Sequence, residues 1–218
     1  MNRQKWIIVC DAIPAVMIGL IAAIVLFKFF GVGGLFLPLL FVILTLYFFR
    51  NPERQAAAQP LDVLSPADGV VQFIGEVYED RYLKRQAVKV SIFLSVVNVH
   101  VNRSPIAGII EFQHYQPGKF LPAFKGHASA VNERNYLGIR SKDEPSLSLL
   151  VVQITGFIAR RIVSWVKEGD QLEQGQRFGM IKFGSCTEVY LPLGSALTVQ
   201  VGQNVRGGET IIGRLRNE

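Results

Sequence analysis

The sequence predicts a mostly β domain built from two similar halves, preceded by an apolar helical hairpin. Three observations predict it. From Val63 onward, short runs rich in branched apolar residues alternate with Gly, Pro, Asp and Ser, the punctuation of strands rather than helices. The C-terminal third repeats itself: Val166, Gly169, Leu172, Gly175 and Phe178 recur at an offset of 33 as Val199, Gly202, Val205, Gly208 and Ile211. The N-terminus holds two long apolar stretches joined by Gly31-Val32-Gly33-Gly34, which reads as a tight turn.

Trp6 to Phe30 is interrupted only by Asp11, Pro14 and Lys28. At about 1.5 Å per residue it is long enough to cross a hydrocarbon core of about 30 Å. Leu35 to Phe49 is uncharged but has only 15 residues, roughly 22 Å as a helix. A cleaved signal peptide fits poorly, because a second apolar stretch follows the first. Arg3 and Lys5 precede the pair, and Arg50 and Arg54 follow it. Basic flanks put both ends on the cytoplasmic side, so the hairpin crosses twice or dips into one leaflet. The short second stretch favours the shallow option. The expected division is a membrane-anchoring hairpin over 1–50 and a β domain over 51–218, with the Ala/Gln/Pro-rich stretch Gln55 to Asp62 as linker.

Within the β domain, Val70–Ile74, Val88–Leu94 and Leu147–Ile154 read as strands. Lys119 to Arg134 lacks clean alternation and reads as a loop with some helix. In each copy of the 33-residue repeat the first glycine permits a turn with positive φ, and the second a bulge or another tight turn. A pair of such units resembles the biotinyl/lipoyl-type barrel-sandwich hybrid, whose two similar halves wrap around each other.

Charge and composition narrow the function. The net charge of +6 over 218 residues is scattered rather than gathered into a basic tract. Nucleic-acid binding gains little support, whereas a protein lying on anionic lipid suits it. Two cysteines, Cys10 and Cys186, make no disulfide framework, and with three histidines they show no metal-ligand spacing. No dinucleotide-binding glycine pattern is present.

The chemistry-bearing candidates fall in short motifs. Phe183-Gly184-Ser185-Cys186 lies between two strand-like runs and between the two copies of the repeat. Gly184, without Cβ, lets the peptide bond after it be approached closely. The Gly-Ser pair reads either as an ordinary hairpin turn or as a site where the Ser185 hydroxyl attacks the carbonyl carbon of residue 184 once a base takes its proton. A nucleophile elbow is excluded, because residues 183 and 187 are Phe and Thr rather than Gly. Asp68, in Ser65-Pro66-Ala67-Asp68-Gly69, reads either as an Asx-type turn or as a carboxylate that orients a histidine. His100 alternates with apolar residues in Asn98-Val99-His100-Val101-Asn102, which predicts a strand face shared with Asn98 and Asn102. It reads as a solvent-facing strand histidine or as the base for Ser185. Asn132-Glu133-Arg134-Asn135 is a charged turn or part of a substrate site. Arg103 and Arg134 both offer a planar fork for phosphate oxygens.

With Phe48-Phe49-Arg50-Asn51-Pro52-Glu53-Arg54 these motifs resemble, in order and over nearly the whole chain, the short form of phosphatidylserine decarboxylase. The resemblance implies that the Gly184–Ser185 bond breaks itself, giving chains 1–184 and 185–218. An ester between Gly184 and the Ser185 side chain undergoes β-elimination. Hydrolysis of the resulting dehydroalanine releases ammonia and leaves a covalent pyruvoyl cofactor at residue 185. That group is an electron sink for decarboxylating the serine headgroup of a membrane phospholipid. The resemblance further assigns Ser185, His100 and Asp68 to catalysis, and Arg103, Arg134 and His127 to substrate binding. It implies a heterodimer of the two chains, allows a dimer of such pairs, and places the enzyme on the cytoplasmic face of the membrane. Longer bacterial forms carry H-R-V-H-M-P; here His100 takes the first histidine's place and Arg103 falls on the second. A competing reading is a membrane-anchored lipoyl- or biotinyl-like binding module without catalysis. Such modules need a lysine at the tip between the repeats, where this chain has Gly184-Ser185.

Overall fold

The computed structural model describes residue 8 and residues 10–55, 57–119, 131–156, 161–182 and 185–216. The chain forms two compact units, Met1–Glu53 and Arg54–Glu218.

The first unit is a helical hairpin. Helix α1 spans Ile13–Phe30 and α2 spans Phe36–Phe48. Pro14 sits in the first turn of α1, where a missing N–H is tolerated. Gly31, at φ 57, ends α1 and donates its N–H to the Phe27 carbonyl. Gly19 lets α2 approach closely, since a Cβ there would meet Val42 Cγ2 at 2.5 Å. Ile8 bridges Arg50 antiparallel at the open end. Ile18, Ile21, Ile24, Phe36 and Ile43 are all exposed. Length and apolarity over Cys10–Phe48 are sufficient to cross a membrane.

The second unit is almost entirely β. Its strands are β1 Asp62–Leu64, β2 Gly69–Glu79, β3 Arg85–Leu94, β4 Val101–Arg103, β5 Gly108–Gln116, β6 Arg134–Ser141 and β7 Ser148–Thr155. There follow β8 Arg161–Ser164, β9 Gln171–Leu172, β10 Arg177–Lys182, β11 Ser185–Pro192, β12 Ala196–Leu197, β13 Asn204–Val205 and β14 Ile211–Arg214. Eight of them form one curled sheet in the order β13-β2-β3-β11-β7-β6-β5-β9, and two three-stranded sheets, β1-β14-β12 and β4-β10-β8, complete the unit. The predicted strands Val70–Ile74 and Val88–Leu94 lie within β2 and β3, and Leu147–Ile154 overlaps β7 from Ser148 on. The loop expected over 119–134 lies largely outside the described residues.

The sheet order reads the same from both ends, and an internal two-fold relation explains it. β2 pairs with β3 through Val70–Phe93 and Val71–Ile92, then slips one residue to Phe73–Ser91. β5 pairs with β6 through Ile109–Arg140 and Ile110–Ile139, then slips in the same way to Phe112–Gly138. Ser65-Pro66-Ala67-Asp68-Gly69 leads into β2, and Ser104-Pro105-Ile106-Ala107-Gly108 leads into β5. In each loop the serine Oγ donates at 2.7 Å to the carbonyl two residues on. Each loop's proline carbonyl accepts, at 2.9 Å, the N–H of the residue preceding the other loop: Arg103 to Pro66 and Leu64 to Pro105. The 33-residue repeat is the same relation in the C-terminal third. Gly169 and Gly202 have φ of 86° and 89°, and Gly175 and Gly208 have 74° and 76°. These values are left-handed turns that favour glycine. The core between the halves is hydrocarbon: Val63, Val90, Ile92, Leu137, Leu149, Val151, Val189 and Leu191 are fully buried in one cluster.

Candidate active site

Ser185 opens β11 and pairs with Leu94 on β3 and Thr155 on β7. Side chains alternate along the strand. Val189 and Leu191 fall in the central core, while Cys186 belongs to a separate cluster on the other face of the sheet. The Ser185 hydroxyl is fully buried and has no hydrogen-bond partner among the described residues. Leaving such a group unsatisfied costs roughly 1–3 kcal/mol, so it calls for a functional account. On the opposite face Glu188 accepts from Tyr190 Oη at 2.6 Å and from Ser91 Oγ at 3.3 Å, with Lys89 Nζ at 3.4 Å. Burial, reinforced by Glu188, pushes the Cys186 thiol well above its usual pKa.

His100 is fully buried and does not lie on a strand. The strand predicted through Asn98 gives way to a turn. Asn98 N–H donates to the Ser95 carbonyl at 3.0 Å, and its side-chain Oδ1 accepts from Ser95 N at 2.9 Å and Ser95 Oγ at 2.7 Å. An asparagine that can close its own turn outcompetes the ladder. His100 then precedes β4, and its carbonyl accepts from Ile181 N at 3.2 Å. It therefore lies beside β10, which leads through residues 183–184 to Ser185. From the other side β3 ends at Leu94, opposite Ser185, and the Ser95–Asn98 turn brings the chain to His100. The ring nitrogen Nδ1 is 2.9 Å from the Asn98 carbonyl oxygen. Since a carbonyl only accepts, Nδ1 carries the proton and Nε2 is the basic nitrogen.

The orienting role expected of Asp68 is thus filled at Nδ1 by a backbone carbonyl. The Asp68 carboxylate instead meets the fork of Arg54, Nη1 to Oδ1 and Nη2 to Oδ2 at 2.9 Å, and accepts from Gly207 N at 2.8 Å. A bidentate guanidinium is the stronger partner for a carboxylate. Arg54 Nη1 also donates to the Gly207 carbonyl at 2.8 Å, and the hydrogen bonds to Asp68, reinforced by its charge, raise the arginine's pKa.

Asn132, Glu133 and Arg134 brace the strand opposite Ser185. Asn132 Nδ2 donates to the Thr155 carbonyl at 2.7 Å, the Glu133 carbonyl accepts from Thr155 N at 3.1 Å, and Glu133 Oε1 accepts from Ile162 N at 3.2 Å. Arg134, half-buried at the start of β6, donates to Tyr136 Oη at 2.9 Å. Arg103 is buried, with Nη1 3.1 Å from the Gly175 carbonyl. Gly184 and His127 lie outside the described residues. A group of three or more His, Cys, Asp or Glu side chains able to hold a metal is absent among the described residues.

A buried chain of amides ties these motifs together. Asn135 Nδ2 donates to Gln153 Oε1 at 2.9 Å, and Gln153 Nε2 donates to Asn102 Oδ1 at 2.7 Å. Asn102 Nδ2 in turn lies 3.3 Å from Thr187 Oγ1 and 3.4 Å from the Pro66 carbonyl. Residues from all four sequence motifs, or immediately beside them, meet on this chain.

A family model for phosphatidylserine decarboxylase matches residues 41–213. A phosphatidylserine decarboxylase proenzyme of Carboxydothermus hydrogenoformans is 58% identical over 184 residues, 84% of each chain. One of Symbiobacterium thermophilum is 46% identical over 195 residues, 89% of each chain. One of Syntrophotalea carbinolica is 43% identical over 219 aligned residues, 99% of this chain and all of the relative. The chain belongs to the phosphatidylserine decarboxylase family. Its members are carboxy-lyases, and these relatives are named as proenzymes.

Sequence reasoning about this decarboxylase-family chain singled out Ser185, His100 and Asp68 and did not anticipate Gln153 or the grip of Arg54 on Asp68. Gln153 left one signal: it is an amide within the apolar run Leu149-Leu150-Val151-Val152-Gln153-Ile154. Gly179 makes room for it, since a Cβ there would lie 3.2 Å from Gln153 Nε2.

Proposed function

We propose that this chain is a self-processing phosphatidylserine decarboxylase. The observation that carries the reading is the buried Ser185 hydroxyl, without a hydrogen-bond partner among the described residues, at the strand end that the His100 segment approaches from two sides. His100 Nε2 accepts the Ser185 proton as Oγ attacks the carbonyl carbon of residue 184, and the proton passes to the departing amide nitrogen. The C–N bond breaks and an ester links residue 184 to Ser185 Oγ. Loss of the Ser185 α-proton expels the 184 carboxylate, leaving dehydroalanine. Water then releases ammonia and leaves a pyruvoyl group at residue 185. A buried hydroxyl without a hydrogen-bond partner among the described residues fits a residue destined to become that group. Once formed, it supplies an electron sink for decarboxylation, yielding phosphatidylethanolamine and CO2. The barrier to CO2 loss falls because the residues around 185 exclude water.

Asp68 acts on this site through its loop. With Arg54 and Gly207 it fixes residues 65–69, and the Pro66 carbonyl of that loop holds Asn102 and the Arg103 N–H. Arg134, half-buried at the Ser185 end of the sheet, is the better candidate for the headgroup phosphate; buried Arg103 serves the fold. The apolar hairpin anchors the enzyme to the membrane, with the catalytic unit on the cytoplasmic side. The two chains stay together as a heterodimer, because β11 opens the second chain yet lies between β3 and β7 of the first.

Denaturing intact mass spectrometry tests the reading. Two chains, 1–184 and a pyruvoyl-blocked 185–218, are expected for the wild type, and one whole chain for Ser185→Ala. Release of CO2 from phosphatidylserine vesicles should follow cleavage. A wild-type chain that remains at 24.3 kDa would sink the enzyme reading and leave the binding module.

A further inference from the structure

The internal two-fold relation supplies a comparison within the molecule. Asn102 stands two residues before Ser104, where the other half has Val63 before Ser65. Thr187 pairs with Ile92, and the related pair joins Leu149 to Ile139. Gln153 pairs with Asn135, and the related pair joins Leu191 to Val88. Val63, Leu149 and Leu191 are fully buried members of the central apolar cluster. Asn102, Thr187 and Gln153 are as deeply buried but polar. The same architecture is therefore closed at one end by hydrocarbon and at the Ser185 end by an amide chain. Folding does not require amides at these positions.

We propose that Gln153 and Asn102 are positioning residues for the chemistry of residue 185, an assignment that rests on the self-processing reading above. The direction of the chain is fixed by one group. The Pro66 carbonyl can only accept, so Asn102 turns Nδ2 toward it and Oδ1 toward Gln153. Gln153 must then offer Nε2 to Asn102 and Oε1 to Asn135. Asn102 Nδ2 faces Thr187 Oγ1, two residues along β11 and on the same face as Ser185. The loop of Asp68, the segment of His100 and the strand of Ser185 are thereby held in one register. Misplacing reacting atoms by about 1 Å can cost on the order of 100-fold in rate.

The test replaces three amides by their two-fold counterparts: Asn102→Val, Gln153→Leu and Asn135→Val together. Replacing both partners of the Asn135–Gln153 and Gln153–Asn102 bonds by apolar groups of similar shape is close to neutral for stability, and the Thr187 hydroxyl loses only a long contact, of 3.3 Å. The expected result is a folded chain melting near the wild type whose self-cleavage is slowed by about 100-fold or more. Cleavage at the wild-type rate would overturn the proposal. A second variant keeps the question open if the triple variant does not fold. In Gln153→Glu a protonated carboxyl can still donate to Asn102 and accept from Asn135, but a carboxylate cannot donate. The charged residues on the elements packed against Gln153 are Arg103 on β4, Arg177 and Lys182 on β10 and Arg134 on β6, with Glu188 on the opposite face of β11. Rates are read as a ratio to wild type at each pH. The ratio should climb as pH falls from about 8 to about 5, because burial raises a carboxyl pKa; a flat ratio would overturn the proposal. If the wild type itself never cleaves, the self-processing reading has failed, which is a different result from a cleaving triple variant.

Discussion

The carbonyl oxygen of Asn98 lies 2.9 Å from Nδ1 of His100. This bond selects the tautomer with a basic Nε2. His100→Ala and His100→Gln should therefore slow self-cleavage by about 100- to 10,000-fold, the usual contribution of a general base. Added imidazole should restore part of the rate in His100→Ala, where a cavity replaces the ring. The readout is the half-time of chain separation on a denaturing gel. Unchanged half-times in both variants would remove His100 from the reaction.

Arg54 and Asp68 form a buried bidentate pair, with side chains only 9% and 11% exposed. Removing one partner strands a buried charge, so Arg54→Ala should destabilise the protein by roughly 3 kcal/mol. The counterpart of Asp68 across the internal two-fold is Ala107. An Arg54→Ala, Asp68→Ala double variant should accordingly recover much of that loss. A double-mutant cycle on thermal melting of the full chain in detergent gives the coupling. Additive losses would mean that the pair contributes nothing beyond its separate parts.

Gly69 and Gly108 occupy equivalent places at the heads of β2 and β5. A Cβ at Gly69 would collide with the Phe93 carbonyl, and one at Gly108 with the Arg140 carbonyl. Both alanine variants should lose stability to a similar extent, since the obstacle in each is backbone that cannot swing away. Gly69→Ala should also slow self-cleavage, because its loop carries the Pro66 carbonyl that holds Asn102. Equal cleavage rates in two equally destabilised variants would argue against a link from that loop to the site.

The fold was legible where the signal was periodic. Branched apolar runs gave β2, β3 and β7, and the glycine spacing gave the repeat, because left-handed turns tolerate few other residues. The Ser-Pro-x-x-Gly pair at 65–69 and 104–108 is equally visible in the sequence, yet it acquires meaning only when Leu64 and Arg103 are seen exchanging hydrogen bonds with the opposite loop. The site was legible as residue types but not as partners. The alternation around His100 predicted a strand; the Asn98 side chain closed a turn instead. The charge of Asp68 suggested a histidine partner; Arg54, just past the helical hairpin in sequence, offered better geometry. Gln153 was hidden because one amide in a hydrophobic strand has no periodicity, and its partners come from sequence-distant strands.

Cys186 gives the chain an alkaline liability. Its thiol is buried beside Glu188, and both effects hold its pKa above the ordinary value, burial being the larger. In the unfolded chain a thiol ionises near pH 8.5. Below that pH both states keep the proton and stability does not depend on this group. As pH rises past about 8.5 the unfolded state releases a proton that the native state retains, so stability falls, by up to about 1.4 kcal/mol per pH unit. Tyr82, pushed up to about 12 mainly by burial, and Tyr190, also raised, add to the slope once the pH passes about 10. Denaturant melts of the full chain between about pH 7.5 and 9.5 should show this decline in the wild type and a flatter profile in Cys186→Ala. Native Cys186 should also resist a thiol reagent at about pH 8 and react only on unfolding. Equal slopes in the two proteins, or rapid labelling of the native thiol, would show that Cys186 is not held protonated by burial.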